Sequence, residues 1–231
     1  MFNFLHNRPG LAVGIALLAA ASMWFYIRRI DVPHQEVEAV KLERPRGNLS
    51  DLYPRWLGAR ELLLRGRNPY SPEVTAEIQR GYYGRVLDPS NPNDPKDLEG
   101  FAYPVYVVFL LAPTVHMDFA AVRLLWLLLL TGLTVVSVLL WTRTLAISIA
   151  PWSCLALVLA TLASYPFAEG ISLQQLSLLV AALLAASFLL RTLGCLFASG
   201  VLLALATIKP QLALLPAILM LLWVCGNWRE R

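Results

Sequence analysis

Little in this chain suits a soluble enzyme or a nucleic-acid binder. Of its 231 residues only three are cysteine and three are histidine. Cys154, Cys195 and Cys225 all lie in apolar runs without zinc-site spacing, which points to inert thiols and leaves the redox compartment open. His34 and His116 have no companion at ligand spacing, so the pattern supports no metal centre. Charge is also scarce outside one region. Residues 28–100 hold 12 of the 19 Lys and Arg and 12 of the 15 Asp and Glu. The other seven basic and three acidic residues sit near the ends of apolar runs, so the net charge of +4 reads as membrane topology rather than a basic face for nucleic acid. There is no internal repeat, no low-complexity tract and no small-residue cleavage site after the first apolar run.

What is present is grease. Hydrophobic residues make up 58% of the chain and the mean hydropathy is +0.60, values that belong to a polytopic membrane protein. The run at 10–27 is too long for a signal-peptide core and leads straight into Arg28 and Arg29, so it reads as a retained span or signal anchor. Further apolar runs fall at about 101–115, 120–142, 149–167, 174–190, 195–208 and 210–225, measured against the roughly 20 residues that a membrane helix needs. The stretch 195–224 is too long for one span and is broken at Lys209-Pro210, which suits a kinked pair, a hairpin or a re-entrant pair. The fold expected is an all-α polytopic membrane protein with six or seven membrane segments. It divides into residues 1–27 (N-terminus and first span), 28–100 (a polar loop) and 101–231 (a helix bundle). Arg8, Arg123, Arg229 and Arg231 favour a cytoplasmic N-terminus, which puts the polar loop outside.

The loop has structure of its own. Leu49, Leu52, Tyr53, Trp56 and Leu63 fall at helical spacing, with Arg55, Arg60, Glu61 and Arg65 on other faces. Ser50 is a suitable N-cap, and the helix predicted would lie flat in the membrane interface. Ser71 as N-cap and Pro72 behind it predict a second helix ending near Gly81 or Gly84. Residues 88–97 are turn-rich and read as the mobile part. Two ionisable groups stand out chemically. Asp51 is an acid at the membrane surface, and Lys209 is a cation in an apolar stretch, where charge is costly. Together they suit a carboxylate taking a proton from a hydroxyl while cations neutralise a phosphate leaving group. Each also has a structural reading: helix-dipole pairing for Asp51, snorkelling anchors for Arg55, Arg60, Arg65 and Arg67, a surface loop for Lys209, and a plain helix end for Gln174-Gln175.

Four stretches in order, "SDLYPRWLGARELLLRGRNPYSP", "FAYPVYVVFLLAP", "SLQQLSLLVAALL" and "ASGVLLALATIKPQLALLP", resemble the polyprenol-phosphate-sugar-dependent glycosyltransferases of the GT-C superfamily. Within it they are similar to glycosyltransferase family 87, with its mannosyl- and arabinofuranosyltransferase-like proteins. The resemblance implies a GT-C-like module whose first extracytoplasmic loop carries amphipathic helices. It implies transfer of a mannose- or pentose-like sugar from a polyprenyl-phosphate donor to an extracytoplasmic glycan or glycolipid hydroxyl, with inversion. Asp51 would be the general base. Lys209, Arg55 and Arg60 would face the lipid phosphate, Tyr53 and Tyr103 would line the pocket, and Gln175 would hydrogen-bond the donor. No cofactor is implied, and a divalent metal stays open. The implied setting is the cytoplasmic membrane of a bacterium, with the site facing outside. Three departures from the family pattern stand in the sequence: Gln174 where a glycine is usual, Ser177 where an asparagine is usual, and Val105 where a second proline is usual. Family members typically continue with further helices, so the chain resembles an N-terminal part that a second subunit would complete. The alternative is a non-catalytic GT-C-like subunit or fragment that binds lipid-linked sugar or partners a longer enzyme.

Overall fold

The computed structural model describes residues 9–41, 50–95 and 99–227; Arg8, Leu49, Arg229 and Arg231 lie outside them. Every regular element among the described residues is helical. Helix α1, Pro9–Tyr26, does not stop at Arg28 as expected but runs through a π turn, Ile27–Asp31, into α2, Val32–Lys41. In that turn the N–H at position 32 reaches back to the Ile27 carbonyl. Pro33 follows at once; it has no N–H to give, and its ring crowds the carbonyl four residues back, so a widened turn is the continuation that costs least.

Two helices are long and apolar enough to cross a membrane, Gly10–His34 and α6, Phe119–Thr144. Helices α7, Pro151–Leu162, and α8, Tyr165–Ser172, form a pair bent by 56°, a broken span or a re-entrant loop. The bend falls where Pro166 enters the first turn of α8. Three shorter apolar helices follow: α9, Ser177–Thr192; α10, Leu196–Ala206; and α11, Pro210–Gly226. At 1.5 Å per residue these are about 16–26 Å long, less than the roughly 30 Å hydrocarbon core. Residues 101–115 do not form a span. Pro104 and Pro113 restrict the stretch to a short helix α5, Val107–Leu111, and a 3₁₀ turn, Ala112–Thr114.

Helices α6 and α9 run in the same direction. Their starts are joined where Gln174 Nε2 donates to the Arg123 carbonyl at 2.7 Å, and their ends where the Trp141 and Phe188 rings lie 5.5 Å apart. Helix α10 returns against α9. There Ser187 and Ser199 each donate to the other's carbonyl at 2.8 Å, small side chains that let the two backbones approach. Helix α11 reverses again at Lys209 and brings Trp223 beside Arg191 at the end of α9. The Lys209-Pro210 break is therefore a hairpin. Helix α1 packs on α7 and α8.

The polar region forms α3, Leu52–Arg65, and α4, Pro72–Tyr83. Helix α4 begins as expected, with the Ser71 hydroxyl accepting from the Val74 N–H at 3.3 Å, and ends at Gly84 in a left-handed conformation with φ +79°. Helix α3 differs from the expectation in two ways. Asp51, not Ser50, holds the N-cap position, and it makes no side-chain cap bond. The aromatic face of α3 is buried in protein rather than lipid: Trp56 is 4% exposed and its indole N–H donates to the Thr114 carbonyl at 3.1 Å. Gly58 makes this docking possible, since a Cβ there would overlap the Phe101 ring. A buried Glu61 then binds Arg65 and Arg67, and Arg67 reaches Glu77, so ion pairs fasten α3 to α4. The turn-rich stretch 88–97, read as mobile, is tied at its described residues around Asp94, which accepts from Arg85, the Asp88 N–H and Asn91. The main buried cluster joins α3, α4, residues 101–115, the start of α6 and the α8–α9 junction, all at one end of the bundle. At the other end large apolar side chains stay exposed, such as Phe197 and Leu221, as lipid-facing helices require.

Candidate functional site

The chain reverses three times at the packed end of the bundle, and each reversal delivers a polar group to the same place. The first is the start of α3. The Asp51 N–H donates to the Leu173 carbonyl at 2.8 Å, which pins the acid against the end of α8 through its backbone. Beside it, Ser50 Oγ donates to Gln174 Oε1 at 2.6 Å, and Gln174 is buried at 1% exposure. The second reversal is the α8–α9 turn. Gln174 holds it with φ +54°, a left-handed conformation that favours glycine, and its amide is bonded at both ends, to Ser50 and to the Arg123 carbonyl. The third is the α10–α11 hairpin, which carries Lys209.

Lys209 Nζ donates to Ser177 Oγ at 3.0 Å, and Ser177 Oγ donates in turn to Gln175 Oε1 at 3.0 Å. Two cations lie over the Tyr103 ring. The Arg55 guanidinium is 4.7 Å from its centroid and the Lys209 ammonium 5.9 Å. Asp51 and Arg55, four residues apart, share one face of α3, and both act electrostatically on Lys209. Burial pushes the Tyr103 phenol up from its ordinary value, with Arg55 opposing and Asp51 adding to the rise. The Arg55 Nε is buried with no acceptor among the described residues, a charged donor left available for an anion.

Five of the seven residues singled out from the sequence thus converge: Asp51, Arg55, Tyr103, Gln175 and Lys209. The other two take a different flank of α3. Tyr53 packs against Trp56 and edge-on to Phe119, with its hydroxyl close enough to Gly81 that a Cβ there would overlap it. Arg60 lies over the Trp56 ring at 5.4 Å. Burial raises the Tyr53 phenol, with Arg60 opposing.

Sequence reasoning missed the residues that hold the site together. Ser50, Gln174 and Ser177 make its connecting bonds. Tyr70 donates to the Tyr103 carbonyl at 2.6 Å, and Tyr106 shares a 2.7 Å bond with Thr207 beside Lys209. Tyr82 also faces the patch: burial raises its phenol, and Asp51 and Arg55 both act on it. The available signal was the departure at Gln174, where a bulky amide stands at a turn that wants glycine. Among the described residues no group of three His, Cys, Asp or Glu side chains is placed to hold a metal.

An acid, two cations, an amide and a buried phenol at the rim of a membrane bundle can activate a hydroxyl and receive a departing anion. Residues 101–231 match the family model described as "Glycosyltransferase family 87". The match contains Tyr103, Gln175 and Lys209 and leaves the stretch carrying Asp51, Tyr53, Arg55 and Arg60 outside it. No curated protein and no solved structure matches the chain.

Proposed function

The chain belongs to glycosyltransferase family 87, and from that premise we propose that it transfers a mannose- or pentose-like sugar from a polyprenyl-phosphate donor to a hydroxyl of a glycan or glycolipid outside the cytoplasmic membrane of a bacterium. The observation that carries this reading is the convergence of Asp51, Arg55 and Lys209 around Tyr103. Asp51 takes the proton of the acceptor hydroxyl as its oxygen bonds to the anomeric carbon. The bond from that carbon to the phosphate oxygen breaks, and the electron pair leaves with the lipid phosphate. Attack from the side opposite the leaving group inverts the configuration. Arg55, through its buried Nε, and Lys209 meet the negative charge as it grows on the phosphate. Gln175, oriented by Ser177, hydrogen-bonds the donor. Tyr103, with both cations over its ring, lines the sugar or lipid phosphate pocket.

The direction of the helices supports the outside location. The N-terminus of α1, Arg143 and Arg191 lie at the end of the bundle away from Asp51, where arginine favours the cytoplasmic side, whereas Arg123, counted with the cytoplasmic arginines from the sequence, starts α6 at the Asp51 end. The deciding experiment is transfer of labelled mannose or arabinofuranose from polyprenyl phosphate by membranes containing the chain. Asp51→Asn is expected to lower the rate by about two to four orders of magnitude, and it leaves the backbone bond from Asp51 to Leu173 in place. Full transfer by Asp51→Asn would remove the general base from this account. Specific binding of the donor without transfer by the wild-type chain would favour the non-catalytic subunit.

A further inference from the structure

A second feature runs between α10 and α11, from the end of the bundle opposite Asp51 toward Lys209. The α10–α11 hairpin borders a half-open cleft of about 350 Å³, lined by Leu196, Leu203, Ala217, Met220 and Val224 and reaching Thr207. Its walls are almost wholly apolar. From Leu196 to Thr207 it runs about 16 Å along α10. One extended hydrocarbon chain fits along it, with its carbons at the roughly 4 Å spacing of close packing.

The end at Arg191 is polar and cationic. Arg191, in the last turn of α9, places its guanidinium 4.7 Å from the Trp223 centroid and 5.9 Å from that of Phe188. The two rings hold it over the mouth of the cleft, and its Nε is buried with no acceptor among the described residues. A buried cationic donor lacking an acceptor at the end of an apolar cleft has the chemistry of a phosphate diester site with an acyl chain below it.

We infer that the α10–α11 cleft binds an anionic phospholipid of the leaflet opposite the Asp51 patch, with its phosphate on Arg191 and one acyl chain between the two helices. This site is separate from the glycosyltransferase reading. Its lipid would act by joining α9 to α11 beside the contact of Arg191 with Trp223. The Lys209 hairpin lies at the far end of the same two helices, so occupancy of the cleft would steady Lys209 as well.

The test is thermal unfolding of the purified chain in detergent, titrated with dioleoyl phosphatidylglycerol or dioleoyl phosphatidylcholine. Phosphatidylglycerol is expected to raise Tm and phosphatidylcholine not to. Arg191→Gln should raise the half-maximal phosphatidylglycerol concentration at least fivefold, and Ala204→Phe, which fills the cleft, should remove the shift while leaving Arg191 in place. If Arg191→Gln does not fold, native mass spectrometry takes its place: a phosphatidylglycerol adduct on the wild type, absent from Ala204→Phe, supports the site. Equal shifts with the two lipids, or an unchanged response in both variants, would overturn it. Displacement of phosphatidylglycerol by an added polyprenyl phosphate would assign the cleft to the sugar donor's chain instead.

Discussion

Gln174 spends conformational energy to hold the candidate site together. At φ +54° a residue other than glycine pays about 1–2 kcal/mol. It recovers that through two hydrogen bonds that satisfy Ser50 and the Arg123 carbonyl. Gln174→Ala keeps the strain and loses both bonds, so it should destabilise the protein by about 2–3 kcal/mol. Gln174→Gly loses the bonds and relieves the strain, and should cost about 1 kcal/mol less. Thermal denaturation in detergent compares the two; equal losses would mean the turn stores no strain. Asp51 and Lys209 were legible in the sequence because isolated charges beside apolar runs need a reason. Ser50 and Ser177 were not, because a serine near a helix end looks like any other cap. The partner that gives Ser50 its role is 124 residues away.

Among the elements, α4 was readable from local chemistry alone: Ser71, Pro72 and Gly84 are all in contact with their own helix. Helix α3 was readable in extent but not in surroundings. Its Trp and Tyr face suits a membrane interface as well as a protein core, and only the close approach of Gly58 to Phe101 chooses the core. The turns at 85–95 went unread for a similar reason, since polar turn residues signal a loop without showing that Asp94 is its hub. Arg85 first, and then the Asp88 N–H, hold the Asp94 carboxyl at about 2. Its pKa is lowered on folding, so the stabilisation it contributes is complete above the unfolded value near ~4 and is lost as pH falls through that value toward about 2. Hydrogen exchange should show the Asp88 amide protected above this window and released within it. Arg85→Ala should move the release to higher pH; an unmoved profile would separate the loop's order from this ion pair.

For the whole molecule the decisive property is which end each turn reaches. The hairpin reading puts Ser90, Lys209 and Gln211 at one end and Cys195 at the other. Membrane-impermeant thiol reagents applied to intact cells should therefore label Ser90→Cys and Gln211→Cys in a cysteine-free background and leave native Cys195 unlabelled until the membrane is opened. Labelling of Gln211→Cys only after opening would put Lys209 and Asp51 on opposite sides and end the shared-site account. The sequence alone determined the class of molecule, the helical character of its segments and the residues whose chemistry is worth a membrane protein's expense, because hydropathy, proline position and charge act locally. It did not determine the number of spans: the proline-rich 101–115 gave only a short helix, and a bent pair and three helices shorter than the hydrocarbon core left that count to packing. Tertiary structure alone decided that Asp51, Gln175 and Lys209 meet, since contacts between residues far apart in the chain depend on where three separate turns come to rest.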